Sequence, residues 1–141
     1  MRLFADANIL VSVLNKEYPL FPFTSRILSL TDIKGFQVFT SPVCLAIAFY
    51  FAEKKNGTLH AKQKINLLSR HISIAENTSS AVKRSLSNPT IHDFEDGLEY
   101  YAAKENQCHC IITEDKNDFY FSDLEVLGSM EFCGKYMGKH L

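Results

Sequence analysis

Short runs rich in β-branched and aromatic residues alternate with longer stretches of helical periodicity, and this alternation constrains the fold of the chain most. Arg2 to Ala5 forms a strand pattern, followed by helical patterns from Asn8 to Leu14 and from Phe23 to Thr31, the second stopped near Gly35. Phe36 to Phe39 is a second strand. Ser41 suits a helix cap with Pro42 at the first helical position. The helix that follows carries Val43, Leu45, Ile47, Phe49, Tyr50 and Phe51, is apolar nearly all round, and is expected to be buried. Leu59 to His71 is a further helix with Ala61, Ile65 and Leu68 facing inward and Leu67 as an additional candidate. Then come a strand from Ile72 to Ala75, a helix from Ser79 to Leu86, a break at Asn88-Pro89 and a helix from Asp93 to Asn106. A strand from His109 to Ile112, a loop from Thr113 to Ser122, a short strand from Leu124 to Leu127 and a helix from Glu131 to Tyr136 complete the pattern. Strands separated by helices predict a mainly parallel sheet with helices on both faces, an arrangement that gathers ligands beyond the carboxyl ends of its strands.

A length of 141 residues with 46% hydrophobic content predicts one compact domain, 1–141, with a real core. No repeat or low-complexity tract interrupts it. The apolar runs are short, and Asp6 breaks the first of them, so neither a membrane span nor a secretory leader is expected and the chain reads as soluble and cytoplasmic. Cys44, Cys108, Cys110 and Cys133 match no zinc spacing, which leaves them as reduced residues in or near a core. A net charge of −1 argues against a protein that coats nucleic acid. It weighs less against a nuclease, whose acidic pocket a bound cation offsets locally.

Three groups of acids stand where a parallel sheet places its ligands. Asp6 directly follows the first strand, where it is equally suited to cap a helix. Asp93 and Asp96 open the long helix with the spacing of a capping box. Phe94, Gly97, Leu98, Tyr101 and Ala102 form the apolar stripe of that helix, so Asp96 is free to face a pocket. Glu99, at i+3 from Asp96, either joins the site or is simply solvated, and solvation is the favoured expectation. Asp115 and Asp118 follow the strand that ends at Ile112, in what is otherwise an ordinary solvated turn. Singly, each group has a structural explanation. Together they predict a shared carboxylate cluster, the hard donor set that Mg²⁺ and Mn²⁺ prefer and that phosphoryl chemistry exploits. No Gly-rich phosphate loop and no nucleophile elbow compete with that reading.

These segments resemble the PIN domain family. Phe-Ala-Asp-Ala-Asn-Ile-Leu at 4–10 is similar to its opening strand and Asp-x-Asn. Asp-Phe-Glu-Asp-Gly-Leu-Glu-Tyr-Tyr-Ala-Ala at 93–103 resembles its acid-bearing helix. Cys-Ile-Ile-Thr-Glu-Asp-Lys-Asn-Asp-Phe at 110–119 resembles its Ile-x-Thr-Arg-Asn-x-x-Asp-Phe segment, and Val-Leu-Gly-Ser-Met-Glu-Phe at 126–132 its closing one. The resemblance covers nearly the whole chain and implies a PIN-like three-layer α/β/α fold. It also implies a Mg²⁺- or Mn²⁺-dependent ribonuclease of the toxin–antitoxin type, with RNA as substrate. Asp6, Asp96 and Asp118 would be metal ligands and catalytic residues, with Asp115 assisting. A small antitoxin protein whose Arg enters the acidic pocket, and a homodimer, are further implications. Asn8 and Thr113 would orient the ligands, and Lys16, Lys54, Lys55 and Lys116 are candidates to guide an RNA backbone.

Two departures matter. The acid that the family places six residues after the serine of its second helical segment falls on Ile47, and Glu53 lies too far along to replace it. Thr-Glu-Asp stands where Thr-Arg-Asn is usual, which removes a cation and makes Asp115 a candidate to replace the missing ligand. They support an alternative reading, a catalytically weak or inactive PIN-like module that binds protein or RNA. A purely structural α/β domain whose acids only cap helices is the third.

Overall fold

The computed structural model describes residues 1–138. The last three positions of the expected domain, 139–141, lie outside the described residues. Five strands, β1 (Arg2–Ala5), β2 (Gln37–Thr40), β3 (Ser73–Ile74), β4 (Cys110–Ile112) and β5 (Glu125–Leu127), form one sheet in the order β3-β2-β1-β4-β5. Every pairing is parallel, with Leu3 opposite Val38 on one side and Cys110 on the other. The flanking helices are α1 (Ala7–Leu14), α2 (Phe21–Ser29), α3 (Pro42–Asn56), α4 (Thr58–His71), α5 (Ser79–Ser87), α6 (Phe94–Glu105) and α7 (Ser129–Phe132). A π-helical turn, Cys133–Met137, continues α7. The expected three-layer α/β/α architecture is the one observed.

Helices on both faces explain why the central strands are continuous apolar runs rather than alternating ones. Leu3, Phe4 and Ala5 of β1 and Cys110, Ile111 and Ile112 of β4 are fully buried. Each large side chain among them contributes about 1.5–3 kcal/mol by leaving water. In the middle of the sheet, the Thr40 hydroxyl donates to the Ala5 carbonyl at 2.9 Å, so its burial leaves no polar atom unmet.

The capping residues read from the sequence mark the helix ends. Ser41 caps α3 by accepting from the Cys44 N–H, and Asp93 caps α6 by accepting from the Asp96 N–H at 3.3 Å. Gly57, at φ +86°, turns the chain between α3 and α4 in a conformation that other residues rarely adopt. Gly97 permits α6 to lie close against α5, because a Cβ there would stand 2.8 Å from the Ser85 side chain.

Three expectations are corrected. α3 is not buried all round: Cys44, Ala48 and Ala52 form a buried stripe, while Tyr50 and Phe51 are 54% and 45% exposed. A helix in an outer layer has neighbours on only part of its circumference, whatever the hydrophobicity of the rest. Leu67 is likewise on the outside of α4. Glu99, expected in solvent, is 3% exposed. Among the described residues no helix is long and apolar enough to cross a membrane. The four cysteines are free and buried, as their spacing implied.

Candidate metal centre

The sheet order reverses direction beside β1: β2 follows on one side and β4 on the other. Crossovers leaving in opposite directions open a crevice at the carboxyl ends of those two strands. Asp6 leaves β1 into that crevice and Thr113 leaves β4 beside it, while the first turn of α6 brings Asp96 to its wall. The result is a cavity of about 420 Å³ lined by Asp6, Asp96, Glu99, Asp115 and Asp118, with Glu17 and Glu95 also on its wall. Among the described residues, no lysine or arginine lines it. All four acids singled out in the sequence therefore meet in one place.

Hydrogen bonds fix the part nearest the sheet. Asp6 caps α1, with Oδ1 accepting from the Ala7 N–H at 2.6 Å, and its Oδ2 faces the strand ends, where it accepts from the Thr113 hydroxyl at 2.7 Å. Asn8 Nδ2 donates to Thr113 Oγ1 and to Asp115 Oδ2, each at 3.1 Å, and Asn8 Oδ1 accepts from the Glu114 N–H. The Asp115 N–H in turn donates to Thr113 Oγ1 at 3.0 Å. Asn8 and Thr113 thus tie the end of β1 to the loop after β4. Asp118 sits in a short 3₁₀ turn, Lys116–Phe119, held by its N–H to the Asp115 carbonyl at 3.0 Å.

Asp96 differs from its neighbours. Asp93 does the capping, and among the described residues no group donates to the Asp96 carboxylate. Burial, and then the carboxylates of Asp93, Asp118, Asp6 and Glu95, push its carboxyl up to about 7. Asp118 is raised as well, by burial and then by Asp115, Asp6 and Asp93. Glu99 lies deeper. Its Oε1 accepts from the Cys44 thiol at 3.1 Å, and burial together with Cys44 and Asp6 holds its carboxyl well above the usual range. Burial and the nearby Asp6 also raise the Cys44 thiol to about 11.

A divalent cation fits this donor set. The lining atoms are carboxylate oxygens, they repel one another, and the wall supplies no positive side chain to relieve them. Most of the lysines expected to guide RNA already have partners in the fold, although Lys116 also lines a further cavity beside Asp115 and Asp118. Lys116 pairs with Glu131 at 2.8 Å, Lys55 donates to the Asn15 carbonyl, Lys54 lies over the Tyr50 ring, and Lys16 lines a different cavity. That second cavity, about 430 Å³ between α1, α2 and α4, is mostly apolar and holds no comparable acid cluster.

Sequence reasoning weighs Glu99 for the site but favours solvent, and it gives Cys44 no place there. The available signal was an acid lying between Leu98 and Tyr100-Tyr101-Ala102, one turn along the same helix from Asp96.

Comparison with known proteins agrees with this geometry. The sequence model of the PIN domain matches residues 2–117. A relative from Aquifex aeolicus (strain VF5), Ribonuclease VapC1, is 25% identical over 138 residues, spanning 96% of this chain and 95% of the relative. Among solved structures, VapBC2 from Rickettsia felis bound to a promoter DNA fragment superposes with a TM-score of 0.70 at 17% identity, covering 91% of this chain and 98% of that one. FitAcB from Neisseria gonorrhoeae gives 0.64 at 18% identity over 91% and 98%. VapC20 from Mycobacterium tuberculosis, described as a sarcin-ricin loop cleaving toxin, gives 0.62 at 16% identity over 77% and 86%. With the PIN domain model matching most of its length, the chain belongs to the PIN domain family.

Proposed function

We propose that this protein is a divalent-metal-dependent ribonuclease and the toxin half of a toxin–antitoxin pair, acting in the cytoplasm. Asp6, Asp96, Asp115 and Asp118 would hold Mg²⁺ or Mn²⁺. One observation carries the reading: a pocket walled by acids and without a lysine or arginine, in which Asp96 is crowded enough to rise to about 7. The Aquifex relative is a ribonuclease and the structural neighbours include a sarcin-ricin loop cleaving toxin and the VapBC2 assembly, which supports the same reaction and the same kind of partner.

When bound, a divalent ion supplies the positive charge that polarises a phosphoryl oxygen. The chain's own residues do the rest. Thr113 and Asn8 hold Asp6 and Asp115 in fixed orientations, so no reorganisation is needed when phosphate arrives. The acidic wall repels an RNA backbone until the ion is in place, which couples substrate binding to metal binding. An antitoxin presenting an Arg to the same wall would satisfy the carboxylates and exclude RNA. The test is cleavage of a mixed RNA substrate with Mn²⁺. Wild type should cut, EDTA should stop it, and Asp96→Asn should not cut although it remains folded.

The second reading, a catalytically weak module that binds RNA or protein, has one observation in its favour: Ile47 lines the pocket where the family carries an acid. Tight RNA or antitoxin binding by the Mn²⁺-loaded wild type, with no cleavage at any metal concentration, would favour it.

A further inference from the structure

Ile47 leaves the pocket one acid short by the family pattern, yet the pocket contains a carboxylate that no family motif supplied. Glu99 projects from α6 one turn beyond Asp96 and lines the same cavity as Ile47. Among the described residues, its single hydrogen-bond donor is the Cys44 thiol, which meets Oε1 at 3.1 Å. Cys44 lies one turn before Ile47 on α3, so the Glu99 carboxylate rests against the stretch of α3 from which the expected acid would project. Its other close neighbour is a carboxylate: one oxygen each from Asp6 and Glu99 and the Cys44 sulfur all lie within 4.8 Å of one another.

A thiol is a weak donor, and a carboxylate accepts several hydrogen bonds. Glu99 is 3% exposed, has one weak donor and faces a second acid, so its ionised form is poorly compensated by protein alone. An apolar residue or Gln at position 99 would serve packing better. A cation shared with Asp6 removes the deficit.

We propose that Glu99 supplies from α6 the acid missing from α3, completing the cation site with Asp6 and Asp96 from the floor of the pocket, and that Cys44 is the positioning residue that holds its carboxylate there. This rests on the metal-binding reading above. It assigns the donor set of this chain as Asp6, Asp96 and Glu99, with Asp115 and Asp118 at the open side.

The experiment measures Mn²⁺ binding to the intact chain by the electron paramagnetic resonance signal of free Mn²⁺, and by thermal shift, with no RNA present. Removing groups that merely orient metal ligands commonly costs ten- to a hundredfold in affinity, so Glu99→Gln should weaken Mn²⁺ by at least about tenfold. Its metal-free melting temperature should stay the same or rise. Restoring an acid on α3 in the double variant Ile47→Glu/Glu99→Gln should recover most of the lost affinity. Cys44→Ala, which keeps Glu99 but releases it, should weaken Mn²⁺ by about tenfold; it also serves as the test if Glu99→Gln does not fold, and affinity within twofold of wild type would then overturn the inference. Mn²⁺ affinity within twofold of wild type in Glu99→Gln, alongside loss of binding in Asp96→Asn, would overturn the inference. Glu99 would then be a neutral acid paired with Asp6, and the metal reading of the pocket would stand. If wild type binds no Mn²⁺, the metal reading itself fails and this inference fails with it.

Discussion

The chain carries two populations of carboxylates with opposite electrostatics. Along residues 123–136, acids are matched to donors. Asp123 accepts from the Tyr100 hydroxyl at 2.6 Å and from Lys104 at 2.9 Å, Glu125 meets Lys135 and Tyr136, and Glu131 meets Lys116. Those hydrogen bonds hold all three below the ordinary carboxylate range. In the pocket, Asp96, Asp118 and Glu99 are all displaced upward, by burial and then largely by neighbouring acids. The residue types are the same in both places, and the supply of positive charge differs. The surface acids have lysines of their own, whereas none lines the pocket. A carboxyl held above its free value weakens the fold at neutral pH, so the pocket is where this chain gives up stability.

That contrast can be broken by experiment. The largest effect is expected on catalysis: Asp96→Asn should lower Mn²⁺-dependent RNA cleavage at least about 100-fold, or about 2.7 kcal/mol. Lys104→Met, on the surface set, should leave the cleavage rate unchanged. Initial rates on one RNA substrate decide it, and equal losses in both variants would erase the distinction between the two groups of acids.

Next in size is stabilisation by the metal. At ten times its dissociation constant, Mn²⁺ should raise the unfolding free energy by about 1.4 kcal/mol, reversed by EDTA. Denaturant unfolding with and without metal reads this directly. Asp96→Asn should show little of the gain.

The pH dependence comes next, because solvent screens the partly exposed Asp96 well below its nominal linkage, and its sign separates the two sets. Asp96 is about 7 in the fold against a free value of 3.8. Between those values the folded chain keeps a proton that the unfolded chain has released. The stability that this proton provides is complete below about pH 4 and is lost as pH rises through 7. Asp123 is lowered, so its contribution is present above its free value and is lost as pH falls through the lowered one. Metal-free melting curves should therefore decline from pH 4 to 8 in wild type, and Asp96→Asn should flatten that decline without altering the acid limb. The smallest effect belongs to the half-exposed surface pair: Lys104→Met should cost under about 1 kcal/mol in denaturant unfolding, because such pairs are well screened.

Much of the molecule was legible from the chain alone. Strand and helix periods are local properties of the backbone, so β1, β2, β4 and β5 and the helices between them could be read with their ends misplaced by only a few residues. Ser41 and Asp93 declared their caps for the same reason. Asp6, Asp115 and Asp118 follow strands, and carboxyl ends of parallel strands share one edge, so their convergence could be expected before any coordinates.

Neighbours between distant segments were not legible, because period and propensity carry no information about what packs outside an element. Only the tertiary structure left Tyr50 and Phe51 of α3 in solvent, drew Glu99 inward against Cys44, and committed Lys116 to Glu131. Glu99 shows the division most plainly. Its sequence position sets its angle around α6. Whether that angle faces water or a second acid depends on α3 crossing above it, and the packing of whole elements around the sheet decides that crossing.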